Sequence, residues 1–249
     1  NDERFRPVNL YVGPDGALYV IDMYHGIIQH KTYLTPYLAG EAMARGLETP
    51  LHCGRIYRVT KEGTTLSTPA FSENNDSLLS YLNSSNQWLR ETAHNFIFDK
   101  QLTSLSPALH KMLKTDDNVI GKINAMWVLE GLHELHNSDL EEIWASSSPT
   151  MKQQILTAAI AIMHNKQDAD FWLHQYKAMM DENNPGAGPY LAYLGAGAAK
   201  YSSSANDLLI NIIKKYPGNP YVADAVISGL ENKEKPFLAL YTKSVKDTS

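Results

Sequence analysis

Apolar and polar positions along this chain follow two different rhythms. Over residues 1–66 the pattern is that of short strands. Val8-Asn9-Leu10-Tyr11-Val12 alternates, Gly13-Pro14-Asp15-Gly16 supplies a turn, and Ala17-Leu18-Tyr19-Val20-Ile21 follows as a second strand. The turn has a mechanism: Pro fixes φ, Asp bonds its own backbone, and Gly accepts positive φ. Gly54-Arg55-Ile56-Tyr57-Arg58-Val59 reads as a third strand, with Ile56 and Arg58 on one face and Tyr57 and Val59 on the other. Three short strands with open edges need further strands or a covering partner to be stable. Between the second and third lies an insertion over 24–53, in which a short helix is expected from about Glu41 to Arg45, stopped by Gly46. Insertions of that length in compact domains are usually functional or packed against something else.

After a linker at 67–76 the period becomes helical. Helices are predicted over about 77–83, 86–100, 104–114, 119–136, 138–146, 149–165, 168–181, 188–201, 204–216, 219–231 and 234–246. Turn and cap signals mark the breaks: Ser84-Ser85-Asn86, Asp116-Asp117-Asn118, Ser148-Pro149, Asn184-Pro185-Gly186 and Pro217-Gly218-Asn219-Pro220. A repeat lies underneath. Leu89-Arg90-Glu91-Thr92-Ala93, Gly121-Lys122-Ile123-Asn124-Ala125 and Met151-Lys152-Gln153-Gln154-Ile155 hold the same place in successive longer helices, and Val222-Ala223-Asp224-Ala225-Val226 repeats it without the basic residue. The spacing, roughly 30 to 36 residues with one degenerate copy near Tyr190, is that of an α-solenoid built from helix pairs. The fold class expected is therefore mostly α: a HEAT-like α-solenoid at 77–249 preceded by a small β segment.

Composition narrows the function classes. Among 249 residues, 22 Lys+Arg stand against 27 Asp+Glu, a formal charge of −5, which argues against nucleic-acid binding. No run approaches the roughly 18 apolar residues of a membrane-spanning helix. Cys53 is the lone cysteine, so no disulfide forms within the chain, no cysteine-based zinc cage is possible, and a c-type haem lacks its Cys-x-x-Cys-His. Asn1-Asp2-Glu3-Arg4 shows neither an initiator Met nor a signal-peptide pattern, so a mature or excised piece of a longer protein is expected.

Candidate chemistry is sparse. His133 and His136 form a weak metal pair near Glu134, for which capping a helix end is the simpler role, so no metal site is assigned. His25 and His30 have poor ligand spacing and suit hydrogen bonding within the insertion. Cys53, beside His52, lacks a basic cluster and reads as a buried, inert thiol. Gly195-Ala196-Gly197-Ala198-Ala199 lacks the preceding strand a nucleotide turn requires and reads as close helix packing. Trp88, Trp127, Trp144 and Trp172 fall at apolar helix positions and read as core. No catalytic residue is assigned. Arg4, Arg6, Asp22 and Arg55 are the residues to weigh in the strand region. Arg4 and Arg6 alternate, so on an extended segment they project to one face, where paired guanidiniums suit a carboxylate-rich ligand; pairing with Asp2, Glu3 or a nearby loop is the plainer alternative.

Arg4-Phe5-Arg6-Pro7-Val8, followed by Gly13 to Asp22, resembles a late blade of the β-propeller in glucose/sorbosone dehydrogenase-like proteins. Asp22-Met23-Tyr24-His25-Gly26-Ile27-Ile28-Gln29-His30, Tyr33-Leu34-Thr35-Pro36-Tyr37-Leu38 and the 54–59 strand narrow the likeness to large bacterial membrane-bound dehydrogenase-type proteins. In these a secreted propeller precedes HEAT-like repeats, often with a cytochrome c domain beyond. Asn86 to Ala93 and Ala125 to Leu132 resemble their helical section. The resemblance implies a C-terminal fragment with part of one blade at 1–66, a periplasmic or secreted location, and a parent that oxidises a sugar or related alcohol. It further implies that Arg4 and Arg6 would help hold pyrroloquinoline quinone, a tricarboxylate, in the intact parent. The relatives' catalytic histidine belongs to an earlier blade that this chain does not contain. By itself the chain is read as a non-catalytic scaffold without a cofactor, whose partners are the remaining blades, a neighbouring domain, or a protein docked on the solenoid.

Overall fold

The computed structural model describes residues 2–181 and 185–246. Asn1 and the Asn184 position of the expected turn lie outside the described residues. Among the described residues the chain holds three strands and twelve α-helices, so it is mostly α with a small β segment. No described helix is long and apolar enough to cross a membrane.

The chain divides into two compact units, 1–96 and 97–249. In the first, β1 (Pro7–Val12), β2 (Leu18–Asp22) and β3 (Arg55–Val59) form an antiparallel sheet in the order β1-β2-β3. The register pairs Leu10 with Val20 and Val20 with Tyr57, and Val12 with Leu18 and Leu18 with Val59. Between β2 and β3 runs the insertion, which contains α1 (Pro36–Ala44). This helix starts a turn earlier than expected: Thr35 Oγ1 accepts from the Leu38 N–H at 3.3 Å and Pro36 occupies the first turn. Gly46 follows it with φ +63°. The unit continues through α2 (Asn75–Leu82) into α3 (Gln87–Asp99), within which the boundary falls. Phe71 anchors the intervening segment by ring contacts with Tyr81, Trp88 and Phe96.

The second unit holds α4 (Ser106–Thr115), α5 (Val119–Gly131), α6 (Asn137–Trp144), α7 (Pro149–Ile162), α8 (Lys166–Asp181), α9 (Gly188–Ala198), α10 (Ala205–Lys215), α11 (Pro220–Ser228) and α12 (Glu234–Lys246). The expected breaks carry real caps. Asn118 Oδ1 accepts from the Ile120 N–H at 3.0 Å, Ser148 Oγ from Met151 at 3.3 Å, and Asn219 Oδ1 from Tyr221 at 3.0 Å. The repeat maps onto burial: Gly121 and Ala125, Met151 and Ile155, and Val222 and Val226 are all buried, four residues apart on one helix face. These faces meet, because α5 packs on α7, α7 on α9 and α9 on α11, with the intervening helices alongside. Such stacking of alternate helices is compatible with an α-solenoid. Of the helices that end early, α5 falls shortest of expectation: it ends at Gly131 rather than at 136, because His133 takes φ +59° and reverses the chain.

The Gly195–Ala199 stretch lies in and just after α9 and serves packing. A Cβ on Gly195 would lie 2.7 Å from Leu209 Cδ2, and one on Gly229, after α11, would lie 2.3 Å from Ala196 Cβ. Trp144 and Trp172 are buried and in edge contact, and the Trp172 indole N–H donates to Asn137 Oδ1 at 3.0 Å. Trp88 and Trp127 are half-buried, and the Trp127 N–H donates to Gln154 Oε1 at 3.0 Å.

Candidate functional site

The N-terminal unit is held together by its turn. Asp15 Oδ1 accepts from the Ala17 N–H at 3.0 Å, while Oδ2 accepts from Tyr19 Oη at 3.1 Å and from Arg58 Nε at 2.7 Å. The carboxylate is almost wholly buried, and the Ala17 N–H, with the Arg58 guanidinium, holds it below the usual carboxylate range. Arg58 therefore fastens β3 to the β1–β2 turn, a pairing across 43 positions that no local pattern announces.

The sheet so built is unusual in what it leaves open. Successive residues alternate faces, so Leu10, Val12, Leu18, Val20, Tyr57 and Val59 share one face by register. All six are apolar or aromatic, yet Leu10 is 59% exposed and Val59 51%. Ile56, on the opposite face, is 69% exposed. β1 and β3 each lack a neighbour on their outer side among the described residues.

The four residues weighed in this region are not gathered at one ligand position. Residues 2–5 form a turn, closed by the Phe5 N–H donating to the Asp2 carbonyl at 3.1 Å, so Arg4 and Arg6 do not alternate on a strand. Arg4 donates from Nε to the Thr49 carbonyl at 3.1 Å and from Nη2 to the Gly46 carbonyl at 2.8 Å. Arg6 donates from Nη1 to the Phe5 carbonyl at 3.1 Å and from Nη2 to the Gly26 carbonyl at 3.3 Å. Both side chains thus clamp the insertion to the N-terminal segment ahead of β1. Gly26 is required there, since a Cβ would lie 2.4 Å from the Leu47 carbonyl oxygen. Asp22, only 1% exposed, accepts at Oδ1 from the Arg6 N–H at 2.7 Å and the Tyr24 N–H at 2.8 Å. Its Oδ2 is buried without a hydrogen-bond partner among the described residues. The Arg55 guanidinium sits 3.4 Å from the Tyr24 ring centre and donates to Tyr57 Oη at 3.2 Å.

Beside this clamp lies a cavity of about 450 Å³, lined by Arg6, Gly26, Ile28, Leu34, Leu38 and Arg45 among others. Gln29 and the Glu41 carboxylate also line it, and Arg45 pairs with Glu3 at 3.1 Å and with Glu41 at 3.7 Å. This leaves the Arg6 guanidinium as the cation on this wall that is bound only to backbone carbonyls. His25 Nδ1 contacts the Ile27 carbonyl, and His30 accepts from the Thr32 N–H at 3.3 Å, so both histidines act within the insertion. Cys53 is half-buried, not fully buried, and its thiol contacts the Leu51 carbonyl.

The helical unit has a larger groove of about 730 Å³, lined by Asp170, His174, Tyr176, Asp207, Asn211 and Lys214 among others. The Tyr176 hydroxyl is buried there without a hydrogen-bond partner among the described residues, and burial raises its phenol well above the ordinary range. His136 caps α6 while the exposed His133 ends the preceding segment.

Residues 1–63 match the model of a family described as a domain of unknown function, DUF7133. The matched stretch contains all three strands and the whole insertion, and stops just beyond β3. No curated protein and no solved structure matches the chain.

Proposed function

We propose that this chain is the non-catalytic scaffold and interaction portion of a larger, extracytoplasmic (periplasmic or secreted) dehydrogenase-like protein. In this reading residues 1–66 add strands to a β-propeller, and the HEAT-like helices of 77–249 present a surface for a neighbouring domain or protein. The observation that carries it is the sheet, with six apolar or aromatic residues on one face and the outer sides of both edge strands without a partner among the described residues. Open edges offer rows of donors and acceptors, and an uncovered apolar face gains about 25 cal/mol per Å² when buried. An occupant that satisfies both must bring strands as well as an apolar layer, which further propeller blades do. The family match supports treating strands and insertion as one inherited piece.

A second reading assigns Arg4 and Arg6 to part of a pyrroloquinoline quinone site in the intact parent. The cavity beside Arg6 supports it, although a carboxylate there would compete with Glu3 and Glu41 for the second guanidinium, Arg45. A quinone reaching Arg4 as well would have to draw it from two backbone carbonyls.

The test is a double substitution, Leu10→Lys with Val59→Lys, at two side chains that are more than half exposed. The altered chain should fold as before but lose association with the remaining blades of its source protein. Unchanged association sinks the scaffold reading. Turnover of sugar with added quinone by the 249 residues alone would sink its non-catalytic part.

A further inference from the structure

The helical unit carries a side-chain cluster that the scaffold reading leaves without a purpose. His110 stands on α4, while His136 and Asp139 stand at the N-cap and third position of α6. Capping places the carboxylate: Asp139 Oδ2 accepts from the His136 N–H at 3.0 Å, and the side chain is only 10% exposed. His110 Nδ1 lies 3.2 Å from Asp139 Oδ1, and His136 Nδ1 lies 3.6 Å from Oδ2. The three candidate ligand atoms all fall within 4.8 Å of one another. In a tetrahedral site with bonds of about 2.0–2.2 Å, neighbouring donors stand about 3.3–3.6 Å apart, near the two separations found here, one to each oxygen of the carboxylate.

A second observation comes from His110. Its Nδ1 is buried and makes no hydrogen bond among the described residues, despite its closeness to Asp139. A buried ring nitrogen left in that state is costly, and an ion between it and the carboxylate would satisfy both. His136 is exposed, which gives the position an opening to solvent and room for water or another donor.

We propose that His110, His136 and Asp139 bind a divalent transition-metal ion of the zinc class. Two imidazoles and one carboxylate make a borderline donor set, suited to zinc, cobalt or nickel and poorly suited to magnesium or calcium. The site is built from two helices of one compact unit, so its ligands are fixed by packing. Lys114 is the natural competitor: its Nζ stands 3.8 Å from Asp139 Oδ1 and 2.7 Å from Glu142 Oε2. An entering ion would push the ammonium toward Glu142.

The experiment titrates the metal-free 249-residue chain with zinc by calorimetry and with cobalt by visible absorption. One ion per chain is expected, with the absorption of a low-coordinate nitrogen–oxygen cobalt site. His136→Ala and His110→Gln should each weaken binding by at least the roughly 10–100-fold that loss of an outer-shell partner costs. His133→Ala, an exposed histidine three positions away and outside the cluster, should change nothing. Lys114→Met should tighten binding, because it removes the competing cation. His133 and His136 are both exposed, so their variants keep the comparison alive should His110→Gln fail to fold. No saturable one-to-one binding, an equal loss from His133→Ala and His136→Ala, or weaker binding by Lys114→Met would each overturn the assignment.

Discussion

Replacing Gly229 with Ala adds one methyl group where the end of α11 meets α9. The new Cβ would lie 2.3 Å from Ala196 Cβ and 2.7 Å from Ala196 Cα. Neither atom can rotate away, and α9 is itself packed by α7, α8, α10 and α11, so the helix has no free direction of retreat. Gly229 has φ −86°, a value that any residue adopts, so the expected penalty is steric and not conformational. Overpacking of this kind costs about 1–3 kcal/mol. The stiffer unfolded chain returns about 0.4–1 kcal/mol. With contacts this short to atoms that cannot rotate, the cost sits at the upper end of that range, so a net loss of about 2–2.5 kcal/mol follows, or roughly 4–10 °C in Tm for a chain of this size. Gly197→Ala is the matched contrast, because its Cβ meets only the Ile160 side chain, at 3.1 Å from Cγ2. A small shift of that side chain can relieve the contact, and helical Ala is favoured over Gly by about 0.8–1.0 kcal/mol, so stability should hold or rise. Thermal unfolding followed by circular dichroism measures both variants. A Gly229→Ala protein as stable as the parent would refute the close α9–α11 contact and the packing role given to these glycines.

Two further predictions concern the N-terminal unit. Asp15→Asn removes the charge that Arg58 pairs with, and should destabilise the unit at neutral pH. Because the folded carboxylate is held below its unfolded value, its contribution is present above about pH 4 and lost as pH falls through the lowered value. Acid unfolding should therefore be less steep in the Asp15→Asn variant; identical curves would remove Asp15 as the fastening point. His94, on α3, titrates below the ordinary histidine range because burial disfavours its charged form. The unfolded chain then binds the proton first, so stability should decline as pH drops below about 6.5. A His94→Leu variant should flatten that part of the pH–stability profile, and an unchanged slope would count against the assignment.

Several elements were legible because their chemistry is local. The Pro14-Asp15-Gly16 turn, the Asn118, Ser148 and Asn219 caps, and the buried i, i+4 positions of the repeat all announce themselves within a few residues. The start of α1 was also written locally, in Thr35-Pro36, but the polar and glycine-containing stretch after it obscured the helix. The end of α5 was not readable, since the left-handed residue there is His133 and not a glycine or asparagine. Site chemistry was hidden for a different reason. Arg4 finds its acceptors more than forty positions away, and His110 meets Asp139 only because two helices pack. Alternation suggested that Arg4 and Arg6 share a strand face, whereas the turn at 2–5 puts them against the insertion. Long-range partners of polar side chains leave no periodic trace, while apolar faces do.

Hydrogen–deuterium exchange at the outer-edge amides of β1, after Pro7, and of β3 (Arg55–Val59) tests the scaffold claim most directly. It should be read on the 249-residue chain alone and on the same peptides within the protein isolated from its source. Fast exchange in the isolated chain, with strong protection of both edges in the source protein, is the predicted result. Equal and rapid exchange in the two samples would mean that no strands pair there, and would contradict the account.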